Sequence, residues 1–363
     1  MPELFNKKWL QIAIHAAKLR LGKTYPNPAV GAVIVKDNLL LSKAATGFKG
    51  SPHAEVGAIN KLSREQLLDA TLYVTLEPCD HIGRNPSCCD LIIKSGIKRV
   101  VIGCIDINPI VRGRGVKKLN DNGVIVEILN DNNAKDLHKM FFHYISFKLP
   151  YLTCKMATSL DGKIALANKE SKWITSELSR NYVHLLRSRH DAVLTGVGTI
   201  IQDNPTLNCR IKSYNKNSTI VILDRNLDIP LFSNILDHKI KRKTLIYTTS
   251  EDQAKMSKLI NDQTEVIRLR NDEYNDSRVI LQDLAKKGIT SIFCEAGKLI
   301  TKFVKTELIN ELVVFRTGKF FGGDSFDMCG DLDLKCIADA KSYRLVKVQN
   351  IQNRDVIEHY IKS

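Results

Sequence analysis

Two α/β domains in succession are what the sequence predicts, on three observations. Short apolar, β-branched runs alternate with helical stretches from residue 30 to residue 129, the pattern of a layered α/β domain. A second alternation of the same kind starts at Tyr151. Between the two lies the short link Lys148-Leu149-Pro150. A length of 363 residues suits two domains, or three. We therefore expect one domain over residues 1–147 and another over 151–363.

The elements follow in order. The opening stretch MPELFNKKWLQIAIHAAKLRLG sets Trp9, Leu10, Ile12, Ala13, Ala16 and Ala17 at helical spacing and predicts an amphipathic helix. Charged residues interrupt it, so it lacks the layout of a signal peptide. No stretch approaches the roughly 20 apolar residues of a membrane span. Residues 30–36 and 38–41 predict a hairpin around Asp37-Asn38. A helix over 53–62, a buried strand over 70–76 and a helix over 88–96, ended by Gly96, come next. Then follow a strand at 98–106, a helix at 115–123, a strand at 124–129 and an aromatic helix at 139–147. The second half predicts strands at 151–157, 191–198, 218–224, 243–249, 291–297 and 308–317, with a helix at 176–189. Beyond about residue 324 no pattern is readable, and the chain shows no internal repeat or low-complexity segment.

Apolar content of 44% and charged content of 26% are those of an ordinary globular chain. The net charge of +15 admits a nucleic-acid partner or a lysine-rich drift with solvated faces. The densest basic run is only KIKRK at 239–243, and aromatic residues, 7% of the chain, do not interleave with it. We expect no nucleic-acid partner; an anionic small substrate suits the same charge. Nine cysteines, an odd number in strand-like apolar settings, argue for reduced cytoplasmic thiols rather than a disulfide framework.

The first chemical cluster is His53-Ala54-Glu55, Pro78-Cys79 and the pair Cys88-Cys89. Catalytic zinc takes three protein nitrogen or sulfur ligands and keeps a fourth position for water, which then ionises near neutral pH. A glutamate two residues after a histidine ligand can shuttle protons without touching the metal. The order H-x-E, strand, then P-C at a helix start is that of nucleobase deaminases. A helix N-terminus would hold Cys79 as thiolate. Singly, His-Ala-Glu and Pro-Cys are commonplace; about 24 residues apart around a strand, they predict a metal site. The second cysteine of the usual P-C-x-x-C is absent, Ile82 standing in its place. A damaged site, a disulfide, a longer ligand loop, and a closed structural site with His81 or Cys89 as fourth ligand all remain open on spacing alone.

The run TLEPCDHIGRNPSCCD, with TYPNPAVGAVIV upstream, resembles the pyrimidine deaminase half of the bifunctional deaminase/reductase family of riboflavin biosynthesis. In that family the second cysteine ligand lies nine residues after the first, which is the spacing of Cys79 and Cys88. The resemblance implies His53, Cys79 and Cys88 as zinc ligands, Glu55 as proton carrier and Cys89 as an inward-packing neighbour. It makes Asn27 a candidate base contact, and His81 and Arg84 candidates for holding the substrate's pyrimidine or phosphate. The family's G-x-H-x-x-x-G before the zinc histidine is shortened here to TGFKGSPH, with Lys49 the candidate replacement contact. Its D-P-N-P-x-V-x-G-x-G appears as DINPIVRGRG from Asp106 to Gly115.

From Lys155 to Arg210 the chain offers a glycine turn after a strand (SLDGK), an indole at Trp173 and a TGVGT turn after an apolar strand. Small residues there permit close backbone approach to a ligand. Ser171, Thr175 and Ser176 mark a helix N-terminus suited to phosphate. TGVGT by itself is no dinucleotide fingerprint. The segment is nonetheless similar to the reductase half of the same family, which has a dihydrofolate-reductase-like fold and uses NADPH. The resemblance implies NADP contacts at Ala157, Trp173, Thr199 and Asp203, and ribose-phosphate contacts at Ser171, Arg187, Leu207 and Arg210. It puts Glu295 at the substrate and Gly297 onward at the pyrophosphate, in an E-A-G where the family has E-G-G. Gly318 replaces a frequent proline. Arg225 is the candidate for the cofactor's 2′-phosphate, and Lys155 and Asp203 for the polar groups near the reacting sugar.

The resemblance thus implies an N-terminal cytidine-deaminase-like α/β/α domain and a C-terminal dihydrofolate-reductase-like α/β domain, in a cytoplasmic homo-oligomer that takes zinc and NADPH. Its substrate would be a pyrimidine ribose phosphate, first deaminated and then reduced from ribosyl to ribityl. Two rivals stand beside it: an RNA base deaminase exploiting the positive charge, and a chain whose reductase half has decayed through changes such as Ala296 and Gly318.

Overall fold

The structure, a computed structural model, describes residues 2–25, 27–80, 87–109, 111–211 and 217–362. The chain divides into two units, Met1–Lys148 and Leu149–Ser363. Among the described residues no helix is long and apolar enough to cross a membrane.

The first unit runs α1 (Pro2–Lys18), β1 (Gly31–Lys36), β2 (Leu39–Ala45), α2 (Ala54–Ile59), α3 (Arg64–Leu67), β3 (Thr71–Val74), α4 (Cys88–Ser95), β4 (Arg99–Ile102), α5 (Arg114–Asp121), β5 (Ile125–Ile128) and α6 (Asn132–Phe147). Its sheet has the order β2-β1-β3-β4-β5. The β1–β2 hairpin is antiparallel and β1 is antiparallel to β3, whereas β3, β4 and β5 are parallel. Parallel neighbours need crossover helices, which α4 and α5 supply. Leu10, Ile14, Ile34, Leu72, Ile92, Ile102 and Leu119 fill the core without solvent exposure. Helix α1 lies directly on β1 because Gly31 has no side chain: a Cβ there would stand 1.9 Å from the Ala13 carbonyl oxygen.

Two expectations are corrected here. The helix expected over 53–62 is only Ala54–Ile59; His53 is its N-cap, and Ser63 with Gln66 forms a capping box that starts α3 anew. Cys79 does not open a helix. It lies in the loop after β3, and the helix begins nine residues later at Cys88, capped by the Ser87 hydroxyl, which accepts from the Asp90 N–H at 3.2 Å.

The second unit runs β6 (Tyr151–Thr158), β7 (Lys163–Ala165), α7 (Glu177–Arg189), β8 (Ala192–Gly196), α8 (Val197–Asp203), β9 (Thr219–Leu223), β10 (Thr244–Thr248), α9 (Gln253–Leu259), β11 (Thr264–Arg268), α10 (Asn271–Asn275), α11 (Ser277–Lys286), β12 (Ser291–Cys294), α12 (Gly297–Lys305), β13 (Glu311–Thr317), β14 (Phe326–Asp327), β15 (Tyr343–Ile351) and β16 (Asp355–Lys362). Nine strands form one sheet, β11-β10-β9-β8-β12-β6-β13-β16-β15. The first seven are parallel, and β16 and β15 close it as an antiparallel hairpin. The C-terminal stretch without a readable pattern thus supplies an edge of the sheet. It also braces α7: the Asp355 carboxylate accepts from the Ser176 N–H at 2.8 Å and the Ser179 hydroxyl at 2.6 Å. Strands β8 and β12 end earlier than expected, since α8 and α12 begin at Val197 and Gly297.

Candidate active sites

In the first unit, His53 caps α2 with extended backbone (φ −64°, ψ 156°) and Glu55 follows in the first turn. Loop and helix bring Cys79 and Cys88 to them. His53 Nδ1 lies 3.2 Å from Cys88 Sγ and 3.6 Å from Cys79 Sγ. The three ligand atoms all fall within 4.8 Å of one another. A tetrahedral zinc with ordinary bond lengths spaces nitrogen and sulfur donors by about 3.6 Å, so this donor set fits the ion. Cys88 is fully buried and Glu55 only 4% exposed.

The proton arrangement is uneven. A hydrogen bond from Cys88, with help from His53, pulls the Cys79 thiol down to about 4 against the opposing effect of burial. The Cys88 thiol, its hydrogen held by Cys79, is pushed up. Burial raises the Glu55 carboxyl, and the hydrogen bond to Cys79 raises His53. Metal ligation takes both cysteines as thiolates, so loading the site is coupled to proton release.

Asn27 stands behind the imidazole: its amide nitrogen donates to the Gly50 carbonyl at 3.0 Å and lies 3.2 Å from His53 Nε2. Cys89 points away from the trio, with Sγ 3.5 Å from the Pro78 carbonyl and 3.7 Å from that of Gly115. His81 and Arg84 lie outside the described residues. Glu77, which sequence reasoning passed over, is 4% exposed. Its carboxylate accepts from the backbone N–H groups of Asp106 (3.3 Å), Gly113 (3.0 Å) and Val116 (3.2 Å). It ties the backbone at Asp106, Gly113 and Val116 to the strand end that leads into Pro78-Cys79. The signal available was an acid placed between a buried strand and Pro-Cys.

In the second unit the candidates gather at the carboxyl ends of parallel strands, where open α/β sheets bind ligands. Arg187 on α7 and Glu295 after β12 form a bidentate pair, Nε to Oε1 at 2.5 Å and Nη2 to Oε2 at 2.9 Å, largely enclosed. Burial opposes ionisation of Glu295, but the Arg187 guanidinium holds the carboxyl below its ordinary value. Lys155 on β6 faces the electrostatic influence of Glu295, Arg187 and Asp203, and burial lowers its ammonium. Asp203, the last residue of α8, pairs with Lys172 at 3.4 Å. Thr199 sits mid-helix on α8 and Ala157 near the end of β6. Leu207 is buried with φ 49°, at the turn leading to Arg210. Arg210 Nε donates to His184 Nε2 at 3.1 Å.

The remaining candidates lie further out. Trp173 is 62% exposed with the Arg180 guanidinium over its ring at 4.2 Å, and Ser171 is half-buried in the turn before α7. Arg225, exposed after β9, bonds the side-chain amide oxygens of Asn271 and Asn275 and lies over the Tyr274 ring. Gly297 is the first residue of α12. Of the two substitutions noted in the sequence, Ala296 is buried in the hydrophobic core, and a Cβ at Gly318 would meet nothing within 4 Å.

Comparison with known proteins accounts for both halves. The family described as the RibD C-terminal domain matches residues 150–357. The cytidine and deoxycytidylate deaminase zinc-binding region matches residues 5–104. The riboflavin biosynthesis protein RibD of Aquifex aeolicus is 39% identical over 349 residues, covering 95% of this chain and 96% of that protein. A crystal structure from Thermotoga maritima, described as a diaminohydroxyphosphoribosylaminopyrimidine deaminase/5-amino-6-(5-phosphoribosylamino)uracil reductase, superposes with a TM-score of 0.88 at 33% identity, each chain covered in full. Acinetobacter baumannii RibD gives 0.86 at 33% identity over 99% of each chain. A lone RNA deaminase would leave the second unit unexplained. The chain belongs to the RibD family of riboflavin biosynthesis, a zinc-binding deaminase domain and an NADPH-dependent reductase domain in one polypeptide.

Proposed function

We propose that the chain performs two consecutive steps on one pyrimidine ribose phosphate. The first unit hydrolytically deaminates 2,5-diamino-6-ribosylamino-4(3H)-pyrimidinone 5′-phosphate; the second reduces the ribosyl group to ribityl. The carrying observation is the meeting of three soft donor atoms within 4.8 Å, beside a buried carboxylate. In this reading His53, Cys79 and Cys88 hold the zinc. Bound there, zinc brings the ionisation of a water molecule into the neutral range. Glu55, whose affinity for a proton burial has raised, takes the proton at a carboxylate oxygen and returns it to the departing amine. Asn27, His81 and Arg84 contact the pyrimidine and its phosphate.

In the second unit, Arg210 receives the substrate phosphate, a role suited to a permanently charged planar donor, and Arg187, its nitrogens engaged by Glu295 and the Asn208 carbonyl, lines the ribose side of the same site. Ser171, Leu207 and Glu295 complete the substrate contacts. Ala157, Trp173, Thr199, Asp203, Gly297 and Arg225 seat the cofactor, which supplies the hydride. Lys155, with its ammonium lowered by burial, supplies the proton that the reduced sugar needs. The nine free thiols suit a cytoplasmic enzyme, and we place it there as a homo-oligomer.

The test is an assay on zinc-replete protein with the diaminopyrimidinone phosphate, following ammonia and NADPH separately. Both signals are expected. Ammonia without NADPH consumption, even when the deaminated intermediate is supplied, would sink the reductase half; silence from both would sink the whole reading.

A further inference from the structure

His184 lies on α7, three residues before Arg187, and is 5% exposed. Its ring joins two arginines and a turn. Nδ1 lies 3.1 Å from the Asn208 carbonyl oxygen, and Nε2 accepts from Arg210 Nε at 3.1 Å. A neutral imidazole has one donor and one acceptor nitrogen. Acceptance at Nε2 leaves the hydrogen on Nδ1, where it donates to Asn208. Both bonds are met by that tautomer alone, and protonation would abolish the bond to Arg210. Burial, then Arg187 and Arg210, hold the imidazole's proton affinity down. Arg187 Nη1 shares the same corner, donating to the Asn208 carbonyl at 3.2 Å and lying 3.3 Å from His184 Nδ1, while its other nitrogens are locked to Glu295.

This arrangement fixes two things. The turn Leu207–Arg210 is tied to α7 at both its carbonyl and its arginine. Arg210 is gripped through Nε, so the edge carrying its two terminal nitrogens is the edge turned away from the histidine, on a residue that is exposed. An exposed arginine otherwise samples many rotamers, and ordering it on substrate binding costs entropy.

We propose that His184 is a positioning residue of the reductase, acting through Arg210 to preset a cationic fork for the substrate's phosphate. The inference rests on the reading that Arg210 meets that phosphate, and the experiment separates the two. Steady-state reduction of the deaminated ribosyl phosphate is followed by NADPH absorbance with full-length H184L, H184Q, H184N, R210A and H184L/R210A, each checked by thermal melting. A hydrogen bond to a charged group governs about a tenfold or larger change in affinity. H184L should therefore raise KM for the substrate about tenfold, with kcat changed less than about twofold. H184Q, whose amide oxygen reaches the Nε2 position, should recover most of that loss, whereas the shorter H184N should not. The double variant should be no worse than R210A, because the histidine works only through that arginine. If H184L does not fold, the Gln–Asn contrast carries the comparison. Equal KM for H184Q and H184N, or a double variant whose loss is the product of the single losses, overturns the positioning role. A wild-type KM in R210A overturns the phosphate reading and the proposal with it.

Discussion

The two active regions are built on opposite plans. In the deaminase unit the proposed chemistry rests on four side chains from two short segments, His53 with Glu55 and Cys79 with Cys88, the three donor atoms falling within 4.8 Å of one another. In that reading a bound metal would supply the missing charge, and the protein provides its donors and the buried acid Glu55 beside them. In the reductase unit the proposed site is spread from Lys155 to Glu295, over β6, α7, α8 and the end of β12. There the charge is provided by the chain, as the enclosed Arg187–Glu295 pair. A metal centre is local by necessity, because ligands must share one small sphere. A substrate and cofactor groove is long, and a parallel sheet serves it by presenting many strand ends along one edge.

The largest expected effect follows from that contrast. Glu55→Gln should lower ammonia release by about a thousandfold, within the range for a positioned acid–base group. Zinc content, read by atomic absorption, should stay at wild type, since Glu55 is not a ligand. Prolonged chelation should likewise abolish ammonia release. Neither treatment should change NADPH oxidation when the deaminated substrate is supplied. Loss of that second activity would show that the plans are not independent.

The reductase plan breaks elsewhere. Arg187→Ala leaves the Glu295 carboxylate enclosed without its partner. Removal of one member of a buried pair costs about 3 kcal/mol or more. Denaturant unfolding should show that loss in the second unit, with the metal-dependent activity intact. Arg187→Lys should restore the charge but not the two-point contact, and should recover only part of the stability. A second-unit midpoint at wild type in Arg187→Ala would show that the pair contributes nothing net.

The same contrast decides what could be read without coordinates. The layered α/β architecture was legible because the inner strands, such as β4, β9 and β12, are apolar runs buried on both faces. The edge strand β15 and its partner β16 escaped notice: β15 is exposed along most of its length, and its alternation follows no buried face. In the deaminase the trio was findable because two motifs bracket one strand, though Cys88 needed a family pattern, the P-C-x-x-C signature being broken at Ile82. His184 and Glu77 were missed because each acts on backbone or on another side chain, and spacing along the chain records neither. A histidine three residues before an arginine on a helix shares its face, which was the one hint.

A smaller effect separates the units by pH. His138 on α6 is 1% exposed, and burial drives its imidazole down to about 3. The folded state refuses a proton that the unfolded chain binds below about 6.5. Stability is therefore full above that value and falls as pH drops from there toward the folded value. Between pH 7 and pH 5 this one group should cost the first unit about 2 kcal/mol. Glu295 loses stability in acid in the same sense, because the Arg187 guanidinium holds its folded carboxyl below the ordinary value; that loss starts as the unfolded carboxyl protonates in the ordinary carboxylate range, well below the range in which the histidine acts. Unfolding at the two pH values should thus show the first unit weakening first. His138→Gln should shrink its difference, and an unchanged difference would mean another group is responsible.

The smallest effect tests the proposal that Arg225 meets the cofactor's 2′-phosphate. Arg225 is exposed, and its partners are neutral: two asparagine amides and the Tyr274 ring, 5.0 Å from the guanidinium. Lys302 reaches the same ring at 5.6 Å, and burial and then Arg225 lower its ammonium. Two cations kept together around an aromatic ring favour a doubly charged group over a singly charged one. A 2′-phosphate brings that extra charge and NADH does not. Solvent screens a contact at such a site, so the discrimination should be modest. Arg225→Gln is expected to raise KM for NADPH about tenfold, leave KM for NADH nearly unchanged, and narrow further with added salt. Equal losses for both nucleotides would mean that Arg225 shapes the pocket as a whole, and that selection for the phosphate lies on another residue.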